Sequence, residues 1–137
     1  MKKQVVTSPQ LPPTTGPLSQ GVVVGPLLFT SGMGGTDPGT GELAGPSVGA
    51  QTIQALGNIR SVLVEAGLDF EDVVKVTAHL HDVDHDFEEF NEAYRECFSA
   101  PYPVRTTVGS RMGGAIRVEI DVVAVRRSES EVGGAGA

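Results

Sequence analysis

The chain of 137 residues is short of three things. It has one cysteine, Cys97, so no internal disulfide can form and the fold must rest on an apolar core. It is short of positive charge: 10 Lys and Arg stand against 17 Asp and Glu, a formal charge of -7. Non-specific nucleic-acid binding draws on counterion release to a basic surface, which this balance disfavours. It also lacks a long apolar run. The longest, Val22 to Phe29, is broken by Gly25 and Pro26 and falls far below the roughly 20 residues of a membrane span. Met1-Lys2-Lys3-Gln4 leads into polar, proline-rich sequence and not into an apolar signal segment. The expectation is a soluble cytoplasmic protein.

What the chain has in quantity is turn residues. Its 18 glycines and 9 prolines lack the three-residue period of collagen and so imply tight turns. Surface scaling for this length has about two-thirds of the unfolded surface buried on folding, enough for a core without staples. One domain over 1–127 is expected. The small, acidic, glycine-rich stretch 128–137 is expected to be a disordered tail.

Periodicity supplies the elements. Lys3 to Val6, Gly21 to Gly25 and Leu27 to Ser31 predict strands, the last two joined by a Gly-Pro turn. Gly32 to Pro46 predicts a long loop or small hairpin. Val48, Thr52, Ala55, Leu56, Ile59, Val62, Leu63 and Ala66 form one helix face, opened by Ser47 and closed by Gly67. From Val73 to His81, Val74, Val76, Ala78 and Leu80 alternate with Lys75, Thr77, His79 and His81. A second helix is predicted over Phe87 to Ser99, with Phe87, Phe90, Tyr94, Cys97 and Phe98 as its buried stripe and Asp86 with Glu89 as its capping box. Pro101 and Pro103 launch a strand from Val104 to Val108, and Ile116 to Val125 forms the last.

This order is α+β, a mixed sheet with two helices packed on one face. The other face is expected to show Lys75, Thr77, His79 and His81 beside Arg105, Thr107, Glu119 and Asp121. A half-polar face of that size reads as a seam between subunits.

Several motifs fail on inspection. Asp82, Asp84 and Asp86 imitate the start of a calcium loop, but Phe87 stands at its turn glycine and Ala93 at its bidentate glutamate. His79 and His81 share a strand face, yet a third ligand is not identified, so solvated histidines are the favoured reading over a metal site with His85. Gly32-Met33-Gly34-Gly35 neither opens a helix nor precedes Gly-Lys-Ser/Thr, so tight turning outweighs phosphate binding. Cys97 reads as a buried structural thiol. Arg105 is the exception. A guanidinium on a rigid strand is a ready fork for a substrate carboxylate, and equally for a structural salt bridge to Glu119 or Asp121. The residues alone leave these two open.

Four segments then carry a resemblance: Gly16-Pro17-Leu18-Ser19-Gln20-Gly21, Phe29-Thr30-Ser31-Gly32, Pro103-Val104-Arg105-Thr106 and Val118-Glu119-Ile120-Asp121. With the helix Ala50 to Gly67 and Asn91-Glu92-Ala93-Tyr94, over about residues 3 to 127, the chain resembles the RidA/YjgF family of reactive-intermediate deaminases. The resemblance implies a chorismate-mutase-like fold assembled as a homotrimer around a central barrel, with ligand clefts between subunits. It implies cofactor-independent hydrolysis of enamines and imines, such as 2-aminoacrylate and 2-iminopropanoate, to 2-oxo acids and ammonia, with neither metal nor organic cofactor.

It also implies roles. Arg105 corresponds to the arginine that clamps the carboxylate, and Asp121 to a glutamate that orients water or substrate. Ser31, Gly32, Asn91 and Thr107 correspond to cleft-lining positions, Thr107 replacing a cysteine, and Glu119 to a framework glutamate. Leu18 stands where the family has tyrosine and Met33 where it has glutamine, and both make the expected pocket more apolar, favouring a bulkier or less polar imine. Those departures keep two alternatives in view: a member specialised for another pathway enamine of the aminomuconate type, and a non-catalytic carboxylate-binding trimer. A ribonuclease role, also attached to the family, finds no support in the acidic charge.

Overall fold

The strands expected from alternation join one mixed sheet in the computed structural model, which describes residues 1–127. The expected tail, 128–137, lies outside the described residues. The strands are β1 (Gln4–Val6), β2 (Gly21–Val24), β3 (Leu27–Thr30), β4 (Met33–Gly34), β5 (Val73–Leu80), β6 (Val104–Gly109) and β7 (Val118–Val125). The helices are α1 (Val48–Glu65) and α2 (Val83–Cys97), with a short 3-10 turn at Phe70–Asp72. Spatial order is β1-β2-β3-β7-β5-β6, with β4 also on β7. All neighbours are antiparallel except β5 and β6, which are parallel. A parallel pair needs a crossover, and α2 supplies it.

Local chemistry sets α1. Ser47 Oγ accepts the Ala50 N–H at 3.1 Å. At the other end Gly67 takes φ 79°, and the N–H of Leu68 donates to the Leu63 carbonyl at 2.8 Å. That closing bond is open to glycine at little cost, because no Cβ meets the carbonyl. Between these caps Ala55, Leu56, Ile59, Val62 and Leu63 are fully buried. They meet Val76, Ala78 and Leu80 of β5 and Val118, Ile120, Val122 and Ala124 of β7, all buried, in one core.

Tertiary pairing corrects four expectations. A bulge between Val73 and Lys75 turns Val73 into the core and leaves Val74 45% exposed, so Val74 is not on the buried face. Helix α2 starts a turn early: Asp82 accepts the His85 N–H, while Asp86 lies within the helix and is buried. Phe87 is consequently 39% exposed, leaving Phe90, Tyr94 and Phe98 as the apolar stripe, with Cys97 half-buried beside it. Strand β7 begins at Val118, and Ile116 sits exposed before it. Finally, Arg105 pairs with Val76 and Thr107 with Ala78, so both project on the helix-covered face. The open face instead carries Lys75, Thr77, His79, Thr106, Glu119 and Asp121, with Val104 and Val108 exposed among them.

Among the described residues no helix is long and apolar enough to cross a membrane.

Candidate functional site

Strand β6 is the sheet edge beside β5, and α2 passes over it, so a side chain on the covered face of β6 lies beneath the helix. Arg105 is that side chain. Its guanidinium carbon lies 4.8 Å from the Tyr94 ring centre, 5.2 Å from Phe90 and 5.9 Å from Phe87. Aromatic faces attract a cation and hold its plane, fixing the fork without consuming its hydrogen-bond donors. Arg105 forms no ion pair among the described residues, so the salt bridge to Glu119 or Asp121 is not made. The opposite sheet face on which Asp121 stands explains why.

The guanidinium opens into a cleft of about 280 Å³ lined by Asn91, Tyr94, Arg95, Tyr102, Pro103 and Arg105. Tyr94 is only 4% exposed, and its hydroxyl has no hydrogen-bond partner. Burial pushes this phenol up to about 12, against the opposing pull of Arg105. The cleft therefore offers a fixed cation and an amide to a small anionic ligand, against an aromatic wall.

Leu18 and Ser31 lie elsewhere. They share a second cavity with Pro17, Ser19, Phe29 and Thr30. Ser31 Oγ donates to the Ser19 carbonyl at 2.6 Å, and its N–H donates to the Gln20 carbonyl at 2.9 Å, tying the Gly-Pro-Leu-Ser loop to the end of β3. Leu18 is 53% exposed. The next residue, Gly32, packs its backbone on Glu119, and a Cβ there would run into that carboxylate. Asp121 follows two residues on along the same face of β7, opposite Thr77.

Met33 belongs to neither group. It pairs with Ile120, packs against the core, and lines a third cavity with Leu11, Gln20 and Asn58. Within one chain the expected site is thus divided. Arg105, Asn91 and Thr107 lie on the helix-covered side, while Leu18, Ser31, Gly32 and Asp121 form a separate patch.

The histidines are engaged individually. The Ser110 hydroxyl lies 2.6 Å from His79 Nδ1, the Met112 N–H donates to His81 Nδ1, and His85 Nδ1 lies 2.7 Å from Asp86. Among the described residues no group of three or more His, Cys, Asp or Glu is placed to hold a metal ion. Asp86 also receives Arg117, whose Nε and Nη2 both reach Asp86 Oδ2 at 2.7 Å. This pair ties the start of α2 to the start of β7.

Sequence reasoning missed Tyr94, Arg95 and Tyr102. Its spacing places Tyr94 in the core, which agrees with its burial. Arg95 lies four residues after Asn91 and so shares its helix face, a signal that was available. Nothing in the sequence marks Tyr102.

Comparison with known proteins agrees with this architecture. A family model described as Endoribonuclease L-PSP matches residues 8–126. A RutC family protein of Saccharolobus solfataricus is 41% identical over 123 residues, covering 89% of this chain and 97% of that protein. A human protein named 2-iminobutanoate/2-iminopropanoate deaminase is 36% identical over 126 residues, 90% of each chain. Among solved structures, E. coli TdcF with bound serine superposes with a TM-score of 0.83 at 34% identity, over 90% of this chain and 99% of that one. RidA of an Antarctic Psychrobacter gives 0.82 at 34% identity, over 89% and 98%.

Proposed function

The chain belongs to the endoribonuclease L-PSP family, the RidA/YjgF family, and from that premise we propose that it hydrolyses 2-imino acids to 2-oxo acids and ammonia. The observation that carries this reading is Arg105: a guanidinium with no ion pair among the described residues, fixed over three aromatic rings at the edge of a small cleft. A substrate carboxylate on that fork places the adjacent imine carbon in the cleft, and positioning alone supplies much of the acceleration. Water adds to this carbon, the C–N bond breaks, and the nitrogen leaves as ammonia with the proton it gains. Asp121 orients the water and passes the proton. No metal or organic cofactor enters this scheme, which every step satisfies with water and side chains.

The divided site motivates the assembly. With Arg105 and Asp121 on opposite faces of one sheet, a complete site draws its arginine half from one chain and its Ser31-Gly32-Asp121 half from another. A homotrimer with clefts between neighbours meets this need, and it covers the open sheet face where Val104 is 66% and Val5 62% exposed.

A second reading, hydrolysis of a different pathway enamine, is favoured by Leu18, which stands at the motif tyrosine. Ribonuclease action, which the family description suggests, has no electrostatic footing at a net charge of -7.

The test generates imines in situ with an amino-acid oxidase and traps the remainder with semicarbazide. Loss of trapped imine with the wild type but not with Arg105→Ala is expected. Equal trapping with and without the wild type, over alanine-, leucine-, phenylalanine- and glutamate-derived imines, overturns the proposal.

A further inference from the structure

We infer that the Arg105 cleft binds a dicarboxylate, with Arg105 holding the carboxylate beside the reacting carbon and Arg95 holding a second, distal one. This rests on the carboxylate-clamp reading above and names the substrate class for it.

Arg95, an exposed residue, and Arg105 both line this one small cleft, and neither forms an ion pair among the described residues, in a chain with seven more acidic than basic residues. Arg60, Arg117 and Arg127 find aspartates, whereas Arg95, Arg105, Arg111 and Arg126 form no ion pair among the described residues; of these four, Arg95 and Arg105 line one cleft. For Arg95 the reason is geometric. Its neighbours Glu92 and Glu96 turn to the other side of α2, where they line a groove with Gly49, Ala50 and Glu89. Arg95 lines the Arg105 cleft together with Asn91, one helical turn before it.

Bringing two like charges to one cavity costs energy unless an anion lies between them, and low-dielectric walls focus their combined field on it. The wall here is aromatic, with Tyr94 and Tyr102. The unpartnered, buried Tyr94 hydroxyl is a further polar group left unused by the fold. At about 280 Å³ the cleft lies just under the roughly 300–1,000 Å³ of drug-sized sites, which suits a short organic diacid. The apolar preference expected from Leu18 and Met33 loses half its basis, because Met33 packs in the core away from this cleft. The substrate class that fits is therefore a 2-imino dicarboxylate of four or five carbons.

The test is calorimetric and needs no turnover. Binding of 2-oxoglutarate and of 2-oxobutanoate is measured on the full chain, as wild type, Arg95→Gln and Arg105→Ala. The diacid is expected to bind about fivefold more tightly to the wild type, the size of one partly screened charge pair. Arg95→Gln should abolish that advantage with 2-oxobutanoate unchanged, and Arg105→Ala should weaken both. Equal affinities, no binding of either acid, or an equal loss of both in Arg95→Gln overturns the inference. So does a change in particle size with Arg95→Gln by light scattering, since Arg95 then has a structural partner. Imine hydrolysis is scored separately, so a protein that binds the diacid without turnover refutes the deaminase reading and leaves this one standing.

Discussion

Arg105 and Asp121 project from opposite faces of the same sheet: Arg105 stands beside Val76 on the helix-covered face, and Asp121 beside Thr77 on the open one. One strand, β5, lies between them and they point to opposite faces, so no rotamer change within a chain brings them together. The proposed chemistry needs both at one substrate, and that need yields a test by complementation. Arg105→Ala and Asp121→Ala should each be inactive alone. Refolded together at equal ratio, randomly mixed cyclic trimers should recover about a quarter of wild-type activity, because one interface in four then combines two intact halves. Imine-trapping assays before and after mixing read this directly, and no recovery means both residues serve from one chain.

The Asp86 cluster governs stability. Arg117 and His85 both rest on this buried carboxylate. Asp86→Ala strands the partly buried Arg117 charge and should cost about 3 kcal/mol, measured by urea unfolding.

His85 adds a pH dependence to the same cluster. Its hydrogen bond to Asp86, with the charges of Asp86 and Asp82, raises its pKa above 6.5. A raised folded-state value means the contribution is complete below about pH 6.5 and is lost as pH rises through the higher folded value. The wild type should therefore lose urea resistance between pH 6 and 8 relative to His85→Gln, whose profile should be flatter. Parallel profiles count against the ion pair.

Tyr94→Phe tests the unused hydroxyl. Removing a buried group that has no partner should leave the ligand-free protein unchanged or more stable by about 1 kcal/mol. A clear destabilisation in thermal unfolding means that the hydroxyl has a partner in the folded assembly.

Cys97 should be a slow thiol. Burial and the neighbouring Glu96 charge push its pKa up, so less thiolate is present at neutral pH. Alkylation by iodoacetamide at pH 8 is expected to run about tenfold slower than for the urea-unfolded chain. Equal rates contradict the half-buried setting.

Helix α1 was legible because its signals are local: Ser47, the apolar face and Gly67 lie within one segment and act over four residues or fewer. Helix α2 begins one turn before the start its local sequence predicts, for the opposite reason. Asp86 and Glu89 have capping spacing, but Arg117, 31 residues away, claims Asp86, and Glu89 instead accepts the Gly49 N–H of α1. Val74 went astray at the bulge, which depends on how β5 meets β7. Arg105 was recognisable as the residue of interest from its strand context and motif. Its aromatic bed was not, since Phe87, Phe90 and Tyr94 reach it only through the crossover.

By itself the sequence determined the order of elements, the ends of α1, the apolar alternation of β7 and the family to which the chain belongs. Those follow from period, caps and motif residues, each readable within a short window. Tertiary structure alone decided the faces. A strand's alternation has two phases, and only its pairing partner chooses between them. That choice put Arg105 and Thr107 under the helix with Val76 and Ala78, left Asp121 with Thr77 on the open side, and drew Arg95 into the cleft beside Arg105.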